Sequence, residues 1–252
     1  MQPANGAEFR SRIGPSVRSF PWYGVFLAVT LPALRSFSAD RILFEDPFIG
    51  QLKPGWSWSR EDPKSRRLSA SGLEVRVLPG NMWGPQNDAQ NVLLRPIPEP
   101  MPAELAFSVI IENTPTHQYE QSDLVWYYDD SNMVKIGQEM VDGQRSIVMG
   151  REEKDRTRTI AILPLATDQV QLQLIVKANQ IRGRFRPAGT DAWREAGECD
   201  LPSSTGRKPQ LSLQFYQGSS EAEQQHWSRA THFIVQSLNE GNAGPGQPDF
   251  SK

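Results

Sequence analysis

From residue 40 onward the chain alternates apolar and polar positions in short runs. In Gly72–Leu78, Leu73, Val75 and Val77 fall on one side and Glu74 and Arg76 on the other. Glu104–Glu112 repeats the pattern, with Leu105, Phe107, Val109 and Ile111 sharing a face. Alternation of this kind over about 4–8 residues predicts strands with one buried face. The same reading gives strands at Arg41–Phe44, Trp56–Trp58, Asn91–Arg95, Arg145–Met149, Thr157–Leu163, Val170–Val176, Asn179–Arg186, Asp191–Glu195, Gln210–Tyr216 and Thr231–Val235. Pro79–Gln90 is a long loop containing Met82 and Trp83, and Pro96, Pro98, Pro100 and Pro102 enforce an extended connection. Ser219–His226 is polar and is expected to hold a helical turn. No stretch past residue 40 keeps a helical period over about a dozen residues. About twelve to fourteen strands with turns at short intervals predict an all-β sandwich, a jelly-roll of two antiparallel sheets.

The densest segment is Glu120–Glu139. Leu124–Tyr128 is β-branched and aromatic, Asp129–Asn132 is turn chemistry, and Met133–Gly137 alternates again. The expectation is a hairpin with a four-residue connection. Its first strand carries aromatics on both faces. Trp126 and Tyr128 are assigned to the core and Tyr127 to the opposite face. Asp129 and Asp130 are read as a turn and nothing more.

The first residues change the picture. Arg10, Arg12 and Arg18 precede the apolar run Phe20–Leu34, and Ser36 and Ser38 stand where a signal peptidase needs small residues. Residues 1–38 are therefore expected to be a secretory signal, 39–238 the sandwich and 239–252 a disordered tail. The apolar run falls short of the roughly 20 residues that span a bilayer, although an uncleaved anchor stays open. The expected location is periplasmic, cell-surface or extracellular, with no stable membrane span once the signal is cleaved. Residues 1–38 hold four Arg and one Glu, so the chain's net charge of −2 leaves −5 for the remainder. A mildly acidic domain without a basic tract excludes nucleic acid as partner. The single cysteine, Cys199, excludes an internal disulfide and reads as a buried thiol.

Candidate chemistry is sparse. Glycoside hydrolysis needs two carboxyls about 5–10 Å apart. Glu120 and Asp123 are three apart and face opposite ways on a strand; Asp62, Asp88 and Glu139 are isolated in sequence. The charge-dense Arg151–Arg156 reads as a solvated hairpin tip. Sugar binding fits better, because sugar rings stack on Trp or Tyr and their hydroxyls bond to polar side chains. Trp56, Trp58, Trp83, Trp126, Trp193 and Trp227 are available, with Tyr119, Tyr127, Tyr128 and Tyr216. Trp83, in a polar Gly/Pro loop, and Tyr127 are the candidate platforms. Lys135, Gln138, Gln121 and Gln214 are the candidate hydroxyl partners. No cofactor is expected. Asp46, with Asp129 and Asp130, is a weak candidate for a structural Ca²⁺.

Several of these residues carry a family likeness. Phe44-Glu45-Asp46-Pro47-Phe48, Leu52–Trp58, Gly72-Leu73-Glu74-Val75, Asn91–Pro96, Glu120–Glu139 and Ala188–Trp193 together resemble the concanavalin A-like domain called DUF1349 and the related C-terminal domain of family 43 β-xylosidases. The likeness covers nearly all of residues 39–238. It implies a concanavalin A-like lectin/glucanase sandwich whose concave sheet binds ligand, often as an accessory to carbohydrate-active enzymes. The chain departs from the pattern at Asp123, where the family usually has Gly. It departs again at Ala230–Val235, which lacks the Asp that helps bind Ca²⁺ in related domains. The leading expectation is an exported, non-catalytic carbohydrate-binding domain with a glycan or glycoconjugate as partner. The alternatives are a glycoside hydrolase-type enzyme of the same fold, of the 3-keto-disaccharide hydrolase kind, and a cell-surface protein-interaction module.

Overall fold

The computed structural model describes residues 40–203, 206–218 and 226–238. The signal-like segment, the tail and all but the last residue of the polar stretch at 219–226 lie outside these ranges. Fifteen strands occur among the described residues. They are β1 (Arg41–Asp46), β2 (Ser57–Ser59), β3 (Arg66–Ser69), β4 (Gly72–Arg76), β5 (Val92–Pro96), β6 (Glu104–Glu112), β7 (Gln121–Asp129), β8 (Asn132–Val141), β9 (Gln144–Glu153), β10 (Arg156–Pro164), β11 (Gln169–Lys177), β12 (Gln180–Pro187), β13 (Arg194–Asp200), β14 (Gln210–Tyr216) and β15 (Trp227–Ser237).

An eight-stranded sheet runs β13-β12-β11-β6-β15-β4-β3, with β1 also paired to β15. A seven-stranded sheet runs β10-β9-β8-β7-β14-β5-β2. Each named strand pairing is antiparallel. The two sheets pack face to face and bury one apolar row from each strand, including Leu73, Phe107, Val109, Leu124, Trp126, Val134, Ile136, Leu172, Phe185, Leu213 and Phe233. This is the all-β sandwich that the alternation predicts. β6 and β14 have the expected bounds; most other strands are longer, because ladders continue past the apolar run.

Four expectations change. β3 was not foreseen; Arg66-Arg67-Leu68-Ser69 has no apolar alternation, and its pairing with β4 recruits it. The last short strand begins at Arg194, after the turn that carries Trp193. The β7–β8 connection is two residues, Asp130 and Ser131, with a register shift beside Tyr128. The β9–β10 tip is also tight: Lys154 and Asp155 both adopt left-handed φ, 54° and 59°, as a two-residue hairpin turn requires. It is not fully solvated, since Glu152 is completely buried.

Asp46 has a structural duty. Its carboxylate accepts the Phe48 N–H at 2.8 Å, the Lys53 N–H at 2.9 Å and the Trp56 indole N–H at 2.9 Å. Both oxygens close the loop after β1 rather than facing a cation. Trp56 is thereby held against Phe233, ring centroids 4.9 Å apart, with Phe44 and Phe48 beside it. Among the described residues no three His, Cys, Asp or Glu groups come together in a way that suits a metal ion. Nor is any described helix long and apolar enough to cross a membrane.

Candidate functional site

The site is built on the outer face of the seven-stranded sheet. Alternation sends Leu124, Trp126 and Tyr128 of β7 inward, so Gln121, Asp123, Val125 and Tyr127 point outward. Register then fixes their neighbours. Gln121 pairs with Glu139, Asp123 with Gly137, Val125 with Lys135 and Tyr127 with Met133 on β8. On the other side β14 sets Gln214 beside Asp123 and Tyr216 beside Gln121. Next to β8, Gly150 of β9 stands opposite Lys135 and Glu152 opposite Met133.

Half of this face is apolar and roofed. Met82 and Ala89, from the loop between β4 and β5, are buried against Val92, Val125, Tyr127, Met133 and Tyr216. Arg60 clamps the loop down. Its Nε donates to the Ala89 carbonyl at 2.7 Å, and its guanidinium grips Asp130 at 2.8 and 3.2 Å. Asp130 also accepts the Tyr127 hydroxyl at 2.7 Å. The acidic turn is therefore an anchor for the loop, contrary to the expectation of a bare turn. Inside the loop, Asn81 closes the base by accepting from and donating to Trp83. The Gly84 N–H lies 3.1–3.2 Å from both Glu152 oxygens. Burial pushes the Glu152 carboxyl up to about 7, and that N–H pulls the other way.

The other half is polar and equally closed. Lys135 Nζ lies 3.6 Å from Asp123 and 3.5 Å from Glu139, donates to the Gln121 amide oxygen and approaches the Tyr216 hydroxyl at 3.5 Å. It also sits 4.8 Å from the centre of the Trp83 ring. Burial alone would lower the ammonium's pKa; Asp123 and Glu139 together hold it raised. Burial drives Asp123 up to about 6 against the pull of Lys135, and lifts the Tyr216 hydroxyl well above its ordinary value. Two glycines make the room. A Cβ on Gly137 would collide with the Asp123 carboxylate, and one on Gly150 would lie 2.5 Å from the Trp83 ring. Several buried acceptors here lack a hydrogen-bond partner: both oxygens of Asp123, Oε2 of Glu139 and Oε1 of Gln214.

The structure brings Trp83, Tyr127, Lys135, Gln121 and Gln214 to this one face. Gln138 does not join them. It is three residues from Lys135, points into the sandwich and donates to the Asn113 carbonyl at 2.9 Å. Tyr127 is buried beneath the loop that carries Trp83, and Trp83 is itself partly exposed, with the Lys135 ammonium against its ring. Asp123, Glu139, Glu152 and Tyr216 were missed. Glu139 seemed isolated and Asp123 was weighed only against Glu120, because only the hairpin register sets Asp123 and Glu139 on either side of one ammonium. Glu120, on the opposite face from Asp123 as expected, is buried and bonds His226 and the Thr116 and His117 N–H groups.

Fold and site together define a concanavalin A-like β-sandwich with a closed polar cluster on one sheet. Several solved structures share the fold. A mutant GH43 protein from Bacillus licheniformis matches with a TM-score of 0.67 at 15% identity, over 77% of this chain and 39% of that one. A xylan β-1,4-xylosidase from Bacillus halodurans matches at 0.66 and 16%, over 82% and 41%. The CBM2 module of the evolved Dit protein of Lactobacillus casei phage J-1 matches at 0.54 and 8%, over 79% and 96%. The chain thus spans about two fifths of the GH43 structures, and the likeness is one of fold. No family model matches the sequence, and no curated protein does.

Proposed function

We propose that this chain is an exported, non-catalytic carbohydrate-binding domain of the DUF1349 kind. It takes its glycan on the outer face of the seven-stranded sheet, beside Gln121, Asp123, Lys135, Glu139 and Gln214. The observation that carries the reading is the under-supplied polar cluster, in which Gln214 Oε1 has no hydrogen-bond partner and the Asp123 and Glu139 carboxylates have the Lys135 ammonium only at 3.5–3.6 Å. Under-supplied buried acceptors are costly, and a sugar hydroxyl at the Glu139 end of the cluster would offer the kind of donor they take. The fold's occurrence in GH43 proteins and in a CBM2 module supports the same class. Gln121 and Glu139 form the end of the face away from Trp83, and a ligand meets them first.

One observation favours a second reading, a glycoside-cleaving enzyme. Asp123 and Glu152 share the face and are raised to about 6 and about 7, as groups that move protons near neutrality are. Against it, both carboxyls are completely buried, Asp123 beside the Lys135 ammonium at 3.6 Å and Glu152 under the Gly84 N–H.

One experiment separates the readings. Wild type, Glu139→Gln and Gln214→Ala are titrated with xylo-, cello-, manno- and malto-hexaose by calorimetry, and each mixture is then chromatographed for cleavage. Binding by wild type, weakened about tenfold or more in the variants without products, supports the proposal. Products formed by wild type favour the enzyme. Binding unaffected by either substitution removes this face as the site.

A further inference from the structure

If the glycan lies on this face, an aromatic ring should meet it, and both expected platforms are partly or wholly covered. One face of Trp83 is taken by the Lys135 ammonium and its edge by Gly150. Tyr127 is 8% exposed and spends its hydroxyl on Asp130. Tyr119 differs. It is 55% exposed, the one strongly exposed aromatic among the described residues. It stands two residues before Gln121, at the end of the face where Gln121 pairs with Glu139.

Its backbone is held where a tyrosine does not go unaided. Tyr119 is the third residue of a turn closed by the Glu120 N–H on the His117 carbonyl at 3.0 Å, and its φ is +68°. Glycine or asparagine is the usual occupant of such a position, and a bulky side chain there is an outlier. The surroundings fix it. The Tyr119 N–H donates to the Met140 carbonyl at 2.8 Å, and its own carbonyl accepts the Gln121 side-chain N–H at 2.9 Å. Gln118 and Asp142 exchange two hydrogen bonds, at 2.9 and 3.2 Å, locking the turn to the β8–β9 connection. Buried Glu120 caps the Thr116 and His117 N–H groups from below. The Gln121 amide that holds the Tyr119 carbonyl also accepts from Lys135. The turn and the polar cluster are thus one connected network. Strain of this sort clusters at functional sites, and here it holds the backbone of an exposed aromatic residue two positions from Gln121.

We infer that Tyr119 is the stacking platform of this domain, taking the apolar C–H face of a pyranose whose hydroxyls turn toward Gln121 and Glu139. The inference rests on the carbohydrate-binding reading and names the residue that gives it an aromatic surface.

The test compares wild type, Tyr119→Phe, Tyr119→Gly and Glu139→Gln against the same four hexaoses, with melting temperatures for each. Tyr119→Phe keeps the ring and should bind within about threefold of wild type. Tyr119→Gly should bind at least about tenfold more weakly, while its melting temperature stays equal or rises, because glycine accepts the positive φ. Loss of affinity together with a lower melting temperature makes Tyr119 a structural residue and overturns the inference. Undiminished binding by Tyr119→Gly overturns it as well. If Glu139→Gln then still weakens binding, only the platform is lost and the face stands. If wild type binds none of the four sugars, both readings fall.

Discussion

The two sheets carry charge on their outer faces in opposite ways. On the eight-stranded sheet Arg229 bridges Glu112 at 3.0 Å and Glu74 at 3.4 Å, and Arg67 meets Glu74 at 2.7 Å, with most of these groups in partial contact with water. Glu74 is held below the usual carboxylate range, chiefly by its bond from Arg67. On the seven-stranded sheet the partners are also a carboxylate pair and a cation, but Asp123 and Lys135 are cut off from solvent and Glu139 nearly so. There the carboxyl of Asp123 rises instead of falling. Water decides the sign. Where solvent remains, pairing wins and the acid is strengthened; where it is excluded, the desolvation of the charge outweighs a cation 3.6 Å away. A face that keeps such a cluster closed gains little stability from it, which is why it reads as a site.

The largest test of this contrast is Lys135→Met. It keeps most of the stem and strands two carboxylates in the dark. The expected cost is about 3–5 kcal/mol in urea unfolding at pH 8, largely insensitive to salt. The loss should shrink as pH falls from 8 toward 6, because without the Lys135 ammonium Asp123 takes up its proton at a higher pH than its wild-type value of about 6 and one stranded charge disappears. A cost under about 1 kcal/mol at pH 8 would mean that the cluster is hydrated in solution.

Next is the pH dependence of Glu152. Its carboxyl stands at about 7 in the fold against an ordinary 4.5. The native state therefore holds the proton more tightly than the unfolded chain between those values. Stability falls as pH rises from about 4.5 to about 7, and the benefit of the raised value is lost above it. Glu152→Gln should flatten that slope and gain on wild type by about 1–2 kcal/mol at pH 8. Parallel stability profiles for the two proteins from pH 4.5 to 8 would count against a dry Glu152.

How much of this was legible in the chain varies with what each feature depends on. Alternation exposed nearly every strand, because one buried face imposes period two. It could not show β3, whose residues are recruited by β4 alone. Lys135, Gln121, Gln214, Tyr127 and Trp83 were legible as candidates from residue type. Which of them share a face depends on the connection at Asp130-Ser131. A four-residue loop would pair Tyr128 with Met133 and turn Lys135 toward the core side with Trp126. The observed register shift pairs Tyr127 with Met133 and turns Lys135 outward, and it leaves Gln138 facing inward. One residue of register moves every side chain to the other face. The Asp123–Lys135–Glu139 cluster exists only in that register. Asp123, noticed as a departure where Gly is usual, is the acid that fills the space above Gly137.

The steric side of the cluster is tested by Gly137→Ala. The new methyl meets the Asp123 carboxylate and, at 2.9 Å, the Ser122 carbonyl. A side chain can swing aside, but a carbonyl in a ladder cannot. A cost of about 1–3 kcal/mol is expected, with a change in the near-ultraviolet signal as Lys135 shifts against the Trp83 ring. The companion change Gly137→Ala/Asp123→Gly relieves only the carboxylate clash, so a full recovery would locate the whole penalty there.

The smallest effect belongs to the open sheet. Arg229→Met removes a guanidinium that bridges Glu74 and Glu112, and it leaves both carboxylates within reach of water or of Arg67. Solvent screens the pair before the substitution and hydrates the acids after it, so the cost should be at most about 1 kcal/mol. It should fall further in 0.5 M salt, where exposed charges about 3–4 Å apart are weakened by counterions. Urea midpoints of wild type and variant at low and high salt read both quantities. The comparison turns on the difference from Lys135→Met. Similar losses for the two lysine and arginine variants, or a salt-independent loss for Arg229→Met, would show that burial is not what separates the two faces.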